Sequence, residues 1–469
     1  MGQIRAMFEQ LQITQIFNSP ISVIRSRGFS SVPEIHSMSS LASSPAARSE
    51  RHFDSVTFSK EFELLLACCC VDGQQSCSLE GSACSDAAVD WEQVLRLAEH
   101  HGVVPLLYQS VRGWSRNVPA AILEDLRRRY EKNARRNLKF AAELFRILDS
   151  LDAHGIASIP YKGPELAERV YGDLALRSFS DLDILVRRPD VLRAKTVVEE
   201  LGYAPTLSLT NAEERVYLAT GYEYSFDGAA GRNLVELQWG IVPRFYAVDF
   251  DCGEFFERAV SASVSGRTVR ALSPEDLLLC LCVHAAKHAW IRLCWLRDIA
   301  GVLQSQVLDW SVIEERAARL GIRRMLYVSL LLAHDLLQAK LADRVREKLL
   351  HDGAVERLCK EVTQHLPNGE ECNPECSSGR AGTPASPLLA YFWLMIRLRE
   401  RVADKVRFLV RLIFTPSPGE WRLVRLPESL FFLYRIVRFA RLLTRIFLPS
   451  HARYETADMS TEELTKKSF

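Results

Sequence analysis

Between Ile156 and Val186 the chain reads IASIPYKGPELAERVYGDLALRSFSDLDILV, two apolar strand-like segments around a short helical one. The first, Ile156 to Tyr161, runs into Lys162-Gly163; the second carries Asp181-Leu182-Asp183 ahead of Ile184-Leu185-Val186. Side chains alternate faces along a strand, so Asp181 and Asp183 are expected to project the same way. Two carboxylates about 6–7 Å apart on one strand face can share a divalent cation. That is the geometry of metal-assisted attack on a phosphate.

A Lys-Gly turn, a helix, an Arg shortly before Asp-Leu-Asp and then an apolar strand resemble the uncharacterised nucleotidyltransferase family. That family sits within the DNA-polymerase-beta-like nucleotidyltransferase superfamily. Further matches lie in VELQWGI (Val235 to Ile241), SPEDLLL (Ser273 to Leu279) and HAAKHAWIRLCWLRDIA (His284 to Ala300). The resemblance implies an α+β fold, a small mixed-sheet nucleotidyltransferase core embedded between N-terminal and C-terminal helical regions. It also implies a third carboxylate from a neighbouring strand, at Glu236. The family pattern places His two residues after that acid; here the position is Gln238, which hydrogen-bonds but cannot act as a base or change charge.

Lys162-Gly163 stands where the superfamily usually has Gly-Ser or Gly-Gly. Gly163 permits close backbone approach to phosphate, and a helix starting at Pro164 offers amides to an anion. Lys162 either adds a point charge for the β- or γ-phosphate or is the exposed Lys of an ordinary strand-to-helix turn. Arg177 either binds phosphate or pairs with Asp181. His284 and His288, one helical turn apart, read as core or supporting histidines, or as a helical wall facing nucleotide or acceptor. Asp298 is placed to order Lys287, Arg292 or a His.

Charge is nearly balanced at +1 over 469 residues, so composition offers no electrostatic case for nucleic acid, and none is expected as a partner. Six of the twelve Cys fall in apolar helical runs: Cys68-Cys69-Cys70, Cys280, Cys282 and Cys294. They read as buried thiols of a reducing cytoplasm. Cys372 and Cys376 lack two further ligands for a zinc site.

The expected division is a disordered or low-complexity extension (1–56), an N-terminal helical region (57–155), the nucleotidyltransferase core (156–272) and a helical domain (273–366). A linker or loop (367–387), C-terminal amphipathic helices (388–450) and a polar tail (451–469) follow. The basic middle of the long helix from Pro119 to His154 reads as a solvated face, or turns an Arg or two toward a triphosphate. Within the core, a strand is expected at Ser265 to Arg270. In the C-terminal block, Arg435, Arg438, Arg441 and Arg445 share one side of a helix. That helix either packs on the body with Arg outward or lies against anionic lipid. No uncharged run there is long enough to cross a bilayer.

The expected activity is transfer of a nucleoside monophosphate from an NTP to an unidentified small-molecule, peptide or saccharide acceptor, with Mg²⁺ or Mn²⁺ and release of pyrophosphate. Metal ligands are Asp181, Asp183 and Glu236; Lys162, Gly163 and Arg177 bind nucleotide; Gln238, His284, His288, Arg292 and Asp298 support the site or face the acceptor. The alternative is a catalytically inactive nucleotide-binding or scaffold protein of the same fold, possible at a membrane surface.

Overall fold

Side-chain oxygens placed just ahead of apolar runs start the first helices. Ser59 Oγ accepts from the Phe62 amide at 3.2 Å ahead of α1 (Lys60–Cys69), and Asp90 Oδ1 from the Gln93 amide at 3.0 Å ahead of α2 (Trp91–His100). Pro105 sits in the first turn of α3 (Val104–Val111). The computed structural model describes residues 57–71, 89–114, 118–228, 234–366 and 387–447. The N-terminal extension, Cys372 and Cys376, the linker and the polar tail lie outside the described residues.

Helix α4 (Ala120–Ala153) carries a buried stripe that includes Phe140, Leu144, Ile147 and Leu151. Its basic middle is largely a solvated face, with Arg127 paired to Glu124 and Glu131, and Arg128 to Asp125. Two buried amides interrupt that face. Asn133 Nδ2 donates to the Ala175 carbonyl at 2.9 Å, and Asn137 Nδ2 to those of Leu174 at 2.6 Å and Arg177 at 2.8 Å. The long helix thereby tethers the chain just ahead of Asp181.

The sheet has the order β1-β2-β5-β4-β3, built from β1 (Ser158–Pro160), β2 (Asp181–Val186), β3 (Tyr203–Pro205), β4 (Glu223–Gly228) and β5 (Leu234–Gln238). Strands β2 and β5 run parallel; the other neighbours are antiparallel. Three helices connect the strands, α5 (Pro164–Tyr171), α6 (Val191–Glu200) and α7 (Asn211–Thr220). Leu182, Ile184 and Val186 join α4 and α6 in one core, while Leu185, Ile159 and Tyr161 join a second core with the helices that follow. The sheet therefore separates two layers, and β2 sends alternate side chains into each.

After α8 (Cys252–Glu257) comes a hairpin, β6 (Val260–Val264) and β7 (Arg267–Ala271). The strand expected at Ser265 to Arg270 is thus the second arm of a pair, with Ser265 and Gly266 at positive φ in its turn. Strand β3 and helix α7, the latter capped reciprocally by Thr210 and Glu213, have no counterpart in the sequence reading.

Ser273 Oγ accepts from the Asp276 amide at 3.2 Å and starts α9 (Pro274–Lys287). Next come α10 (Leu293–Ser305), α11 (Trp310–Leu320), α12 (Arg323–Leu337), α13 (Asp343–His351) and α14 (Gly353–His365). Cys68, Cys69, Cys280 and Cys282 are free and buried there, and burial raises each thiol above its usual range.

The C-terminal helices are α15 (Pro387–Arg397), α16 (Val402–Phe414), α17 (Pro418–Leu423) and α18 (Tyr434–Phe447). In α18 the expected outward arginines are not all outward: Arg438 is 2% and Arg441 9% exposed, although Arg435 is exposed. The cause is Glu420 on α17, fully buried, which accepts from Arg441 Nη1 at 2.5 Å and from Arg438 Nη1 at 3.5 Å. A Cβ at Gly419 would lie 2.1 Å from Arg441 Nη1, so glycine allows that approach. No described helix is long and apolar enough to cross a membrane.

Candidate active site

In the parallel pairing of β2 and β5, Asp183 lies opposite Glu236 and Leu185 opposite Gln238. Gln238 lies in turn opposite Glu223 across β4 and β5. Alternation puts Asp181, Asp183, Glu236, Gln238 and Glu223 on one face, while Leu182, Ile184, Val235, Leu237, Tyr224 and Phe226 enter the core on the other. Asp183, Gln238 and Glu223 are buried; Asp181, Glu236 and Lys162 are partly exposed and form the mouth of the cleft.

Gln238 is the hub of this face. Its Nε2 donates to Asp183 Oδ1 and Glu236 Oε2, both at 2.9 Å, and lies 3.4 Å from Glu223 Oε2. Its Oε1 accepts from the Tyr161 hydroxyl at 2.6 Å, which orients the amide. Lys162 Nζ donates to Asp183 Oδ1 at 2.9 Å and lies over the Tyr161 ring at 5.0 Å. From α9, the Lys287 ammonium lies 5.5 Å from the centre of the Tyr222 ring.

Four carboxylates thus face two ammonium groups, Lys162 and Lys287, and their titration reflects the excess. Burial and then the charge of Asp183 push Asp181 up to about 6. Burial, followed by Glu223 and Asp183, holds Glu236 well above the usual carboxylate range. Glu223 is raised by burial against the opposing pull of Lys287. Burial lowers Lys287 to about 8, with Glu223 acting to raise it. Burial also acts to lower Lys162, but Asp183, Glu236 and Asp181 together hold it above its ordinary value. Asp183 Oδ2 is buried without a hydrogen-bond partner.

Gly163 precedes α5 at φ 59 and ψ −130, and a Cβ there would meet the Asp181 carbonyl at 3.4 Å. Such backbone is nearly confined to glycine and costs other residues about 1–3 kcal/mol. Gly163→Ala is therefore expected to destabilise the fold by that amount in chemical denaturation; an unchanged midpoint would show that this turn is not held in its strained form.

The other expected residues divide. Arg177 does not pair with Asp181: it forms a two-pronged ion pair with Asp298, Nε to Oδ1 and Nη2 to Oδ2 both at 2.9 Å, and the Tyr171 hydroxyl donates to the same carboxylate at 2.7 Å. Asp298 thus orders Arg177 and Tyr171, where Lys287, Arg292 or a His was expected. Lys162 is no exposed turn residue, being held by Asp183. The rings of His284 and His288 meet at a tilt with centres 4.8 Å apart, and both contact the Trp295 ring, His284 edge-on. Burial first, then Lys162 for His284 and Lys287 for His288, keeps both imidazoles well below their usual pKa, hence neutral. Arg292 lies 5.9 Å from the Trp295 ring. Among the described residues no group of three or more His, Cys, Asp or Glu stands in metal-binding array; the amide of Gln238 lies between Asp183 and Glu236.

Sequence reasoning missed Glu223. Its signal was an acid between two aromatic residues in GYEYSF, where Tyr224 and Phe226 take the core face and Glu223 the other. Arg136 on α4 was available only as one member of a basic run, yet its charge and that of Asp181 interact.

No curated protein matches the chain. Among solved structures, that of the antibiotic-resistance factor ANT(2'')-Ia overlaps 41% of this chain and 96% of its own, at 16% identity and a TM-score of 0.30, too loose a likeness to bear on the argument. The family model described as uncharacterised nucleotidyltransferase matches residues 87–338, more than half of the chain. That span takes in all five strands of the sheet, the acid face and α9 to α11, and the chain belongs to the uncharacterised nucleotidyltransferase family.

Proposed function

We propose that the chain transfers a nucleoside monophosphate from an NTP to the hydroxyl, phosphate or amine of a small-molecule, peptide or saccharide acceptor, with release of pyrophosphate. The observation that carries this reading is the excess of carboxylate on one sheet face, with the buried Asp183 Oδ2 lacking a partner. The four acids outnumber the two ammonium groups that face them, an excess that a divalent cation would offset. Mg²⁺ or Mn²⁺ held by Asp181, Asp183 and Glu236 would neutralise phosphate charge and position the attacking oxygen.

The chain's own groups supply the rest. Lys162 is the cation nearest the aspartates and the group a triphosphate would draw. Arg136 on α4 adds a further positive charge that interacts with Asp181. Glu236, partly exposed and raised, either completes that metal site or accepts the acceptor's proton. Neutral His284 and His288 with Trp295 form an aromatic wall that excludes water without adding charge.

A second reading, nucleotide binding without turnover, has one specific support: Gln238 bridges Asp183 and Glu236 and cannot take up a proton. Pyrophosphate release from the four NTPs with candidate acceptors separates the two. The metal is tested by pH. Because the folded protein raises Asp181 to about 6, its protonated form stabilises, and that contribution is lost as pH rises through about 6. A cation needs the ionised carboxylates, so the rise in melting temperature on adding Mn²⁺ and NTP is expected to be larger at about pH 7.5 than at about pH 5. An equal rise at both would remove the carboxylates from the binding event.

A further inference from the structure

The C-terminal helices turn the usual arrangement inside out. On α18, Tyr434, Arg438 and Arg441 form the buried stripe, while Phe432 just before it, Ile436, Phe439 and Leu443 form an exposed one at helical spacing. Helix α16, which packs beside α18, buries Asp404, Phe408 and Leu412 and exposes Val402, Val406, Val410 and Phe414. Among the described residues before the C-terminal helices, large apolar side chains are exposed only singly, as at Leu138 and Val307. Exposed apolar stripes on two helices that pack together mark an interaction site.

Charge says what covers it. Residues 388–448 hold twelve Lys and Arg against four Asp and Glu, a net of +8 in a chain whose total is +1. All four acids are engaged: Asp404 and Glu420 are buried, Glu400 accepts from the Arg324 amide at 2.8 Å, and Glu428 pairs with Arg215. Arg425 and Arg435 are exposed, and Arg435 is next in sequence to Ile436 of the α18 stripe. A second copy of the same surface would bring like charges together, whereas anionic lipid would meet both the apolar stripes and the arginines.

We propose that α16 and α18 form a peripheral docking face for an anionic bilayer, lying in its interface with their apolar stripes inward and Arg425 and Arg435 at headgroup level. The Arg438–Glu420–Arg441 cluster is the device that fixes the rotation of α18, since a buried carboxylate holds two guanidinium groups inward and leaves the apolar side free. At 14 residues, α18 is about 21 Å long, enough to lie in an interface.

The test is flotation of the full chain with vesicles of phosphatidylcholine alone and of phosphatidylcholine with phosphatidylglycerol. Wild type is expected to float with the anionic vesicles and to be released by salt. Arg425→Glu with Arg435→Glu should lower partition about tenfold or more, and Ile436→Ser with Phe439→Ser should abolish it. These side chains are exposed, so melting temperature and nucleotide chemistry should not move, which keeps this test separate from that of the proposed activity. Wild type that stays unbound, or that binds neutral and anionic vesicles alike, overturns the proposal. So does a dimer in sedimentation that the serine variant converts to monomer, which would make the face a contact between copies.

Discussion

Replacing Asp181 and Asp183 together by Asn is expected to lower NTP-dependent pyrophosphate release by roughly a thousandfold or more while the chain stays folded. The magnitude follows from losing several kcal/mol of transition-state charge stabilisation, at 1.4 kcal/mol per factor of ten. Stability should change little, because two effects oppose. Asp181→Asn removes a carboxylate that its surroundings already hold at about 6. Asp183→Asn takes the charge from the group that Lys162 contacts at 2.9 Å, which leaves a buried ammonium less well compensated. Circular dichroism and melting should therefore resemble wild type, and Mn²⁺ with NTP should no longer raise the melting temperature. A double variant that turns over like wild type would place the chemistry elsewhere.

The acid pair was legible because β2 carries its own evidence: alternation alone aligns Asp181 with Asp183 and sends Leu182 and Ile184 to the core. Glu236 was legible only through the family resemblance, and the parallel register with Asp183 makes the juxtaposition concrete. Glu223 carried only the local signal of β4's alternation; that it lies opposite Gln238 comes from the sheet register, which no local pattern gives. The ion-pair partner of Arg177 was not legible for a related reason. That partner, Asp298, lies 121 residues away on α10, while the candidate aspartate four residues on competes in any local reading. The orientation of α18 shows a different limit. Helical spacing tells which residues share a side, but the buried Glu420 on another helix decides which side faces in.

Glu236 and Glu223 divide the remaining chemistry between them, and substitution can tell which one takes the acceptor's proton. Glu236 lies at the mouth of the cleft, is raised by burial and by neighbouring acids, and contacts Gln238 at 2.9 Å. Glu223 is 8% exposed and faces Lys287, so an acceptor reaches it less easily. Glu236→Gln is accordingly expected to depress turnover about 10²–10⁴-fold, the usual reach of general base catalysis, with little change in NTP affinity because Lys162 and Arg136 remain. Glu223→Gln should cost much less. Gln238→His puts a titratable ring where the family pattern has one and should preserve or raise the rate, with its pH profile shifted by the new imidazole. If instead the rate is indifferent to Glu236→Gln but collapses with Glu223→Gln, the base lies on β4, and the acceptor must enter past Lys287 rather than past Asp181.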